Sequence, residues 1–189
     1  NPLGCYGDGG AVFTNNDEWA QLANSYRVHG KGSDKYDNVR IGLNSRLDTM
    51  QAAILQVKLR AFDHEVERVN EVAEHYTRLL KDKVKTPVIP AGFRSSWAQY
   101  TIQLPGEEQR TQLQQAMKLA GIPTMVYYPK PMHSQTAFGN AQCSMFNAQL
   151  DCDSYVANRL SATVLSLPMH PYLESEEIEH VCSMLIASL

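Results

Sequence analysis

Apolar residues in the middle of the chain recur at helical spacing: Leu47, Met50, Ile54 and Val57, then Phe62, Val66, Val69, Ala73, Tyr76 and Leu80. This pattern predicts a helix from about Ser45 to Leu80. Its phase slips near Leu59–Phe62, which predicts a bend or a change of packing partner there. Roughly 35 residues at helical rise make a rod of about 50 Å. A coiled coil is the alternative, but the slip and the irregular flanking charges favour a helix bridging two packed regions.

Ahead of it, Ala11–Thr14 reads as a short strand. Asn15-Asn16-Asp17-Glu18 supplies cap candidates and first-turn acids for a helix to about His29, with Gly30 as its closing residue. Residues 31–43 read as a long polar loop, a kind of segment that is often functional. Behind the long helix, Ala98–Leu104 alternates with the period of a half-buried strand. Glu107–Ala120 is an amphipathic helix closed by Gly121. Pro123–Tyr128 is a second strand ended by Pro129, and residues 134–150 are a polar excursion. Tyr155–Ala162 is helical, Val164–Leu167 is a strand stopped by Pro168, and Ser175 caps a last helix with Glu176 and Glu177 in its first turn. Strands alternating with helices place the chain in the α/β class.

With 189 residues, 43% of them hydrophobic and 20% charged, the composition is that of a globular chain with a sizeable core. A net charge of −3 argues against nucleic acid or an anionic membrane as partner. No apolar run approaches the roughly 18 residues of a bilayer span, and no secretory leader is recognisable. The four cysteines form no C-x-x-C pair and the six histidines no ligand set, so reduced cytoplasmic thiols and no metal are expected.

Three stretches carry candidate chemistry. Gly7-Asp8-Gly9-Gly10 has the glycines of a phosphate loop but precedes a strand, where such loops follow one, so a structural turn is the better reading. In Gly42-Leu43-Asn44-Ser45-Arg46-Leu47-Asp48, Asn44 or Ser45 would cap the long helix. Plain capping does not account for Arg46, a cation in a first turn where the helix dipole disfavours it. An arginine beside free backbone N–H groups suits an anion, and both readings stand. Tyr127-Tyr128-Pro129-Lys130-Pro131-Met132-His133 ends a strand with aromatics, a cation and an imidazole, a ligand position or a core edge. His170, in Ser166-Leu167-Pro168-Met169-His170-Pro171, reads as structural.

Taken in order, these pieces resemble the pyridoxal-phosphate-dependent sugar aminotransferases of the DegT/DnrJ/EryC1/StrS group. The resemblance rests on Pro2-Leu3-Gly4-x-Tyr6-Gly7-Asp8-Gly9-Gly10, Arg27-x-His29-Gly30 and Asn44-Ser45-Arg46-Leu47-Asp48-x-x-Gln51-Ala52-Ala53-Ile54-Leu55. It continues through Tyr128-Pro129-x-Pro131 and Ser166-Leu167-Pro168-Met169-His170-Pro171, and so covers the whole chain. It implies a homodimer of the fold-type-I aminotransferase architecture. Residues 1–45 would be the end of the large, cofactor-binding domain, 46–94 a long bridging helix, and 95–189 a small C-terminal α/β domain. The implied reaction is amination of a keto group on a nucleotide-linked sugar, of the UDP-acetamido type used for surface polysaccharide. Glutamate is the implied amino donor.

The resemblance also assigns residues. Asn44 matches an asparagine reaching the phosphate of the pyridoxal 5'-phosphate held by the partner subunit. Arg46 matches a residue facing the nucleotide-sugar, and Tyr127 and Tyr128 match a His-Tyr pair touching substrate, with Tyr127 in place of the histidine. His133 follows the family's Pro-Leu-His pattern with Met132 for leucine. The departure is Asn1, at the position of the Schiff-base lysine. An amide is not nucleophilic, so no catalytic residue is retained. The expectation is a fragment, inactive as it stands, with most cofactor residues in a preceding half. The alternatives are a lysine-less, non-catalytic member with a regulatory or sugar-sensing role, and a plain α/β interaction module in residues 95–189.

Overall fold

The computed structural model describes residues 3–34, 36–138 and 150–189. It divides into two compact units, Leu3–Asp63 and His64–Leu189. The division falls beside the phase slip at Leu59–Phe62: the long helix is continuous, and its packing partner changes there.

In the first unit, helix α1 (Asp17–Tyr26) starts on Asn16, whose side chain accepts a hydrogen bond from the Trp19 N–H at 3.1 Å. The helix stops at Tyr26, earlier than its pattern suggests, because the next residues turn into an antiparallel pairing. Leu43 N–H donates to Tyr26 O (2.7 Å), His29 N–H to Leu43 O (2.9 Å) and Ser45 N–H to Arg27 O (2.9 Å). His29 and Gly30 both have positive φ, 61° and 75°. A Cβ on Gly30 would lie 1.9 Å from Arg40 O, and one on Gly42 2.1 Å from Gly30 N. Only glycine lets the two backbones approach this closely. The segment between is therefore no free loop: Lys31 bridges to Asn38, and Tyr36 N–H donates to Asp34 Oδ1 at 2.8 Å.

Residues 11–14 form no strand. They lie without a paired neighbour among the described residues, with Val12 84% and Phe13 92% exposed. A strand is stable only when its backbone groups and one face find partners.

Helix α2 (Thr49–Leu80) begins four residues later than its pattern predicts. Its first turns belong to the first unit. From Val69 onward Val69, Val72, Ala73, Tyr76 and Leu80 are buried in the second unit. There β1 (Tyr100–Gln103), α3 (Glu107–Leu119), α4 (Leu150–Thr163), β2 (Val164–Leu167) and α5 (Ser175–Ala187) complete the order.

Strands β1 and β2 pair antiparallel, Tyr100 opposite Leu167 and Gln103 opposite Val164. The other edge of β2 holds a single bridge, Met125 to Ser166, where a second full strand was expected. Pro123 removes a donor at one end of that segment and Pro129 at the other, leaving room for one bridge. The buried faces of α2, β1, α3, β2 and α5 share one apolar core. Gly121, with φ 75°, closes α3 as expected. The last helix is capped by Glu174 and not Ser175: Glu174 and Glu177 form a reciprocal capping box. In the expected excursion 134–150, a short 3-10 turn covers Thr136–Phe138 after one at Met132–Ser134, and residues 139–149 lie outside the described residues.

Candidate functional site

In the first unit the site is built by the pairing that ends α1. Asn44 does not cap a helix, because α2 starts at Thr49. It is instead locked by backbone bridging to Val28. Arg46 lies ahead of the helix and not in its first turn, so the dipole argument for its oddity falls away and a direct contact replaces it. Arg46 Nε donates to Asn44 Oδ1 at 3.0 Å.

This contact sets the chemistry of the pair. The bond engages one lone pair of the asparagine oxygen and leaves both hydrogens of Nδ2 to donate. Among the described residues no acceptor meets that nitrogen or the Arg46 Nη atoms. Both residues are exposed. The pair is a donor-rich surface with one positive charge, which matches a phosphate or carboxylate and mismatches a cation.

The segment before this pair in sequence is fixed by α2. Gln51 Oε1 accepts from Tyr6 N–H at 3.0 Å, and Gln51 Nε2 donates to Tyr6 O. Lys58 Nζ donates to Gly4 O at 2.7 Å and lies 5.6 Å from the centre of the Tyr6 ring. Sequence reasoning gave neither residue a role. The available signal was their seven-residue spacing, which puts both on one helix face.

In the second unit, Tyr127 and Tyr128 follow the Met125–Ser166 bridge, whose two backbone bonds measure 3.0 and 2.9 Å. Val126 packs toward the core, while Tyr127 is 50% and Tyr128 74% exposed. His133 sits in the turn Met132–Ser134, which is held by Ser134 N–H to Pro131 O and by Gln135 Nε2 to Lys130 O, both 3.0 Å. No hydrogen bond or ring contact among the described residues joins His133 to either tyrosine, and all three side chains are open for a ligand. His170 reads as expected: its Nδ1 accepts from Tyr172 N–H at 3.2 Å and so shapes its own turn. Among the described residues there is no cluster suited to a metal ion, and no helix is long and apolar enough to cross a membrane.

Comparison with known proteins adds a family. The model of the DegT/DnrJ/EryC1/StrS aminotransferase family matches residues 1–186. The UDP-2-acetamido-2-deoxy-3-oxo-D-glucuronate aminotransferase of Pseudomonas aeruginosa is 40% identical over 97% of this chain and 48% of its own length. A pleiotropic regulatory protein of Geobacillus stearothermophilus is 43% identical over 95% of this chain and 46% of its own. The crystal structure of a DegT DnrJ EryC1 StrS aminotransferase from Brucella abortus superimposes with a TM-score of 0.84 at 42% identity, covering 98% of this chain and 48% of that one. The chain thus spans about half the length of the curated relatives it matches.

Proposed function

The chain belongs to the DegT/DnrJ/EryC1/StrS aminotransferase family, and we propose that it is the C-terminal portion of a pyridoxal-phosphate-dependent sugar aminotransferase, inactive as it stands. The family's fold is the fold-type-I α/β aminotransferase fold, of which this chain is a partial representative. The substrate in this reading is a keto-sugar on a nucleotide, of the UDP-acetamido type, made for surface polysaccharide, with glutamate as amino donor. The setting is a cytoplasmic homodimer. Residues 1–45 serve the cofactor domain, 46–94 the bridge and 95–189 the small domain.

The observation that carries the reading is the Asn44–Arg46 contact, which engages the asparagine oxygen and leaves Asn44 Nδ2 and the Arg46 Nη atoms as donors. This donor set fits the phosphate of pyridoxal 5'-phosphate. When bound, that group supplies the electron sink that stabilises charge at an amino acid's Cα. Asn44 Nδ2 then donates to the phosphate of the cofactor bound by the partner subunit, and Arg46 faces the anionic nucleotide. Tyr127, Tyr128 and His133 hold the sugar. Where the family has a histidine, the Tyr127 hydroxyl both donates and accepts, which alters the preferred sugar hydroxyl pattern. Position 1 does not fit: the Asn1 amide neither bonds covalently to the cofactor nor carries a proton to and from Cα, so this copy does not transaminate.

The test separates the two donors. In the complete chain, Asn44→Ala is expected to weaken pyridoxal 5'-phosphate binding about tenfold or more, the worth of one hydrogen bond to a charged group. Arg46→Ala should weaken UDP-sugar binding most, with a smaller loss of cofactor affinity because Asn44 then loses the partner that holds its oxygen. Equal effects of both variants on both ligands would overturn the assignment.

A second reading has its own support. Asn1, together with the likeness to a protein named as a pleiotropic regulator, favours a lysine-less, sugar-sensing member. In that reading the nucleotide-sugar binds to the same residues without turnover.

A further inference from the structure

Gln51 and Lys58 make contacts that the functional reading does not use. The Gln51 amide meets both polar groups of one residue, accepting from Tyr6 N–H at 3.0 Å and donating to Tyr6 O. A neighbouring strand would satisfy the same two groups in the same way. One turn pair along α2, Lys58 Nζ donates to Gly4 O at 2.7 Å and covers the Tyr6 ring. Tyr6 itself is 73% exposed, so burial of its side chain does not hold this segment down.

The glycines around the contact fit it. Gly4 and Gly7 have φ of 68° and 144°, and a Cβ on Gly7 would come within 3.1 Å of Gln51 Nε2. A Cβ on Gly9 would lie 2.5 Å from Cys5 Sγ. The backbone is folded tightly against two side chains of a helix. A glycine-rich segment would otherwise be the freest part of the chain.

We propose that Gln51 and Lys58 are positioning residues: together they clamp the Gly4–Tyr6 segment onto α2 and so set the register of this glycine-rich segment relative to the Asn44–Arg46 donor pair. Its consequence for the chemistry rests on the reading of position 1 as the Schiff-base position. Two polar side chains on one helix face set the register of the loop, and the glycines give it the shape the clamp requires. Gln51 is specific for this task because only an amide offers an acceptor and a donor side by side at neutral pH.

Three measurements on the complete chain test this. Backbone amide exchange at Tyr6 should be at least about tenfold faster in Gln51→Ala than in the parent, since one hydrogen bond protects it. In Gln51→Glu the ionised carboxylate accepts from the N–H but faces the Tyr6 carbonyl with a second acceptor. Protection is therefore lost at pH 7 and regained as the carboxyl takes up a proton near its ordinary pKa of about 4.3. In an Asn1→Lys background, the yield of borohydride-trapped pyridoxal phosphate at position 1 should fall about tenfold on adding Gln51→Ala or Lys58→Met, while the reversible affinity for the cofactor stays the same.

Unchanged Tyr6 exchange in Gln51→Ala overturns the clamp. A parallel loss of trapping and of affinity overturns the positioning role, because general loosening of the unit lowers both. Should Asn1→Lys trap nothing with Gln51 intact, the reading of position 1 has failed instead. The clamp is then decided by the exchange rates and the acid rescue alone.

Discussion

Asn44 and Arg46 show how the role of a single residue depends on a hydrogen-bond inventory. A lone asparagine both donates and accepts and has no preference for anions. With its oxygen engaged by Arg46 Nε at 3.0 Å, the balance shifts toward donation. The resemblance pointed to both residues, and residue chemistry flagged Arg46. Capping logic misplaced them, because the helix starts after them and no local pattern shows that Asn44 pairs with Val28 sixteen residues earlier. Cys182 was legible only as an unpaired thiol. Burial on α5, with Glu179 nearby, pushes that thiol from 9.0 up to about 12. The folded state therefore keeps its proton where the unfolded state has lost it. Its stabilising contribution is complete below pH 9 and is lost as pH rises toward 12. Chemical denaturation between those values should show stability falling with pH, and Cys182→Val should flatten part of that slope. Tyr76 and Tyr100, whose phenols burial also raises, keep the remainder.

Among the elements, those that bury a face in the core were readable and those without a paired neighbour were not. The second half of α2, β1, α3 and β2 follow their patterns because each buries a face in the same core. The segments 11–14 and 123–128 have strand-like residues, but a strand depends on its neighbours, which a linear pattern does not contain. Gly121 closes its helix as expected, whereas Gly30 does not close α1, which ends at Tyr26, and serves the pairing beyond it. Gly121 needs only its positive φ, since a Cβ there would meet nothing within 4 Å, whereas Gly30 needs both the φ and the space occupied by Arg40 O. Gly121→Ala should cost about 1 kcal/mol, the price of a left-handed residue. Gly30→Ala should cost about 3 kcal/mol or more by forcing the two backbones apart. Thermal or urea unfolding of the two variants checks the order. Equal losses would mean that the close approach of residues 30 and 40 is not maintained in solution. Asn70 is a third device the pattern does not reveal. Its amide joins Val66 O, Ser95 O and Trp97 Nε1, holding Trp97 at a φ of 46° beside Tyr100.

At the scale of the whole molecule, the two units differ in how they are held together. The second has a continuous core with Tyr76, Leu80, Tyr100, Ile102, Leu113 and Leu185 almost fully buried. In the first, only Ser25 and Gly30 are buried among the described residues, while Phe13, Ile41 and Met50 are 92%, 98% and 79% exposed. Apolar exposure on that scale fits the proposed reading, in which a cofactor domain and a partner subunit would cover this surface. It accords with relatives twice as long and with a site whose donors face outward. The fold class was legible because the motifs come in one order along the chain; the emptiness of the first unit was not, since its residues look like any core.

A phosphate-directed site without a covalent anchor at position 1 makes one decisive experiment available: titrating the protein with pyridoxal 5'-phosphate and with pyridoxal, reducing each mixture with borohydride and mapping the peptides. Reversible binding should be at least about tenfold tighter for the phosphorylated form, with no modified lysine after reduction. Equal affinity for the two forms, or a pyridoxyl group fixed to a lysine of this chain, would rule the site out.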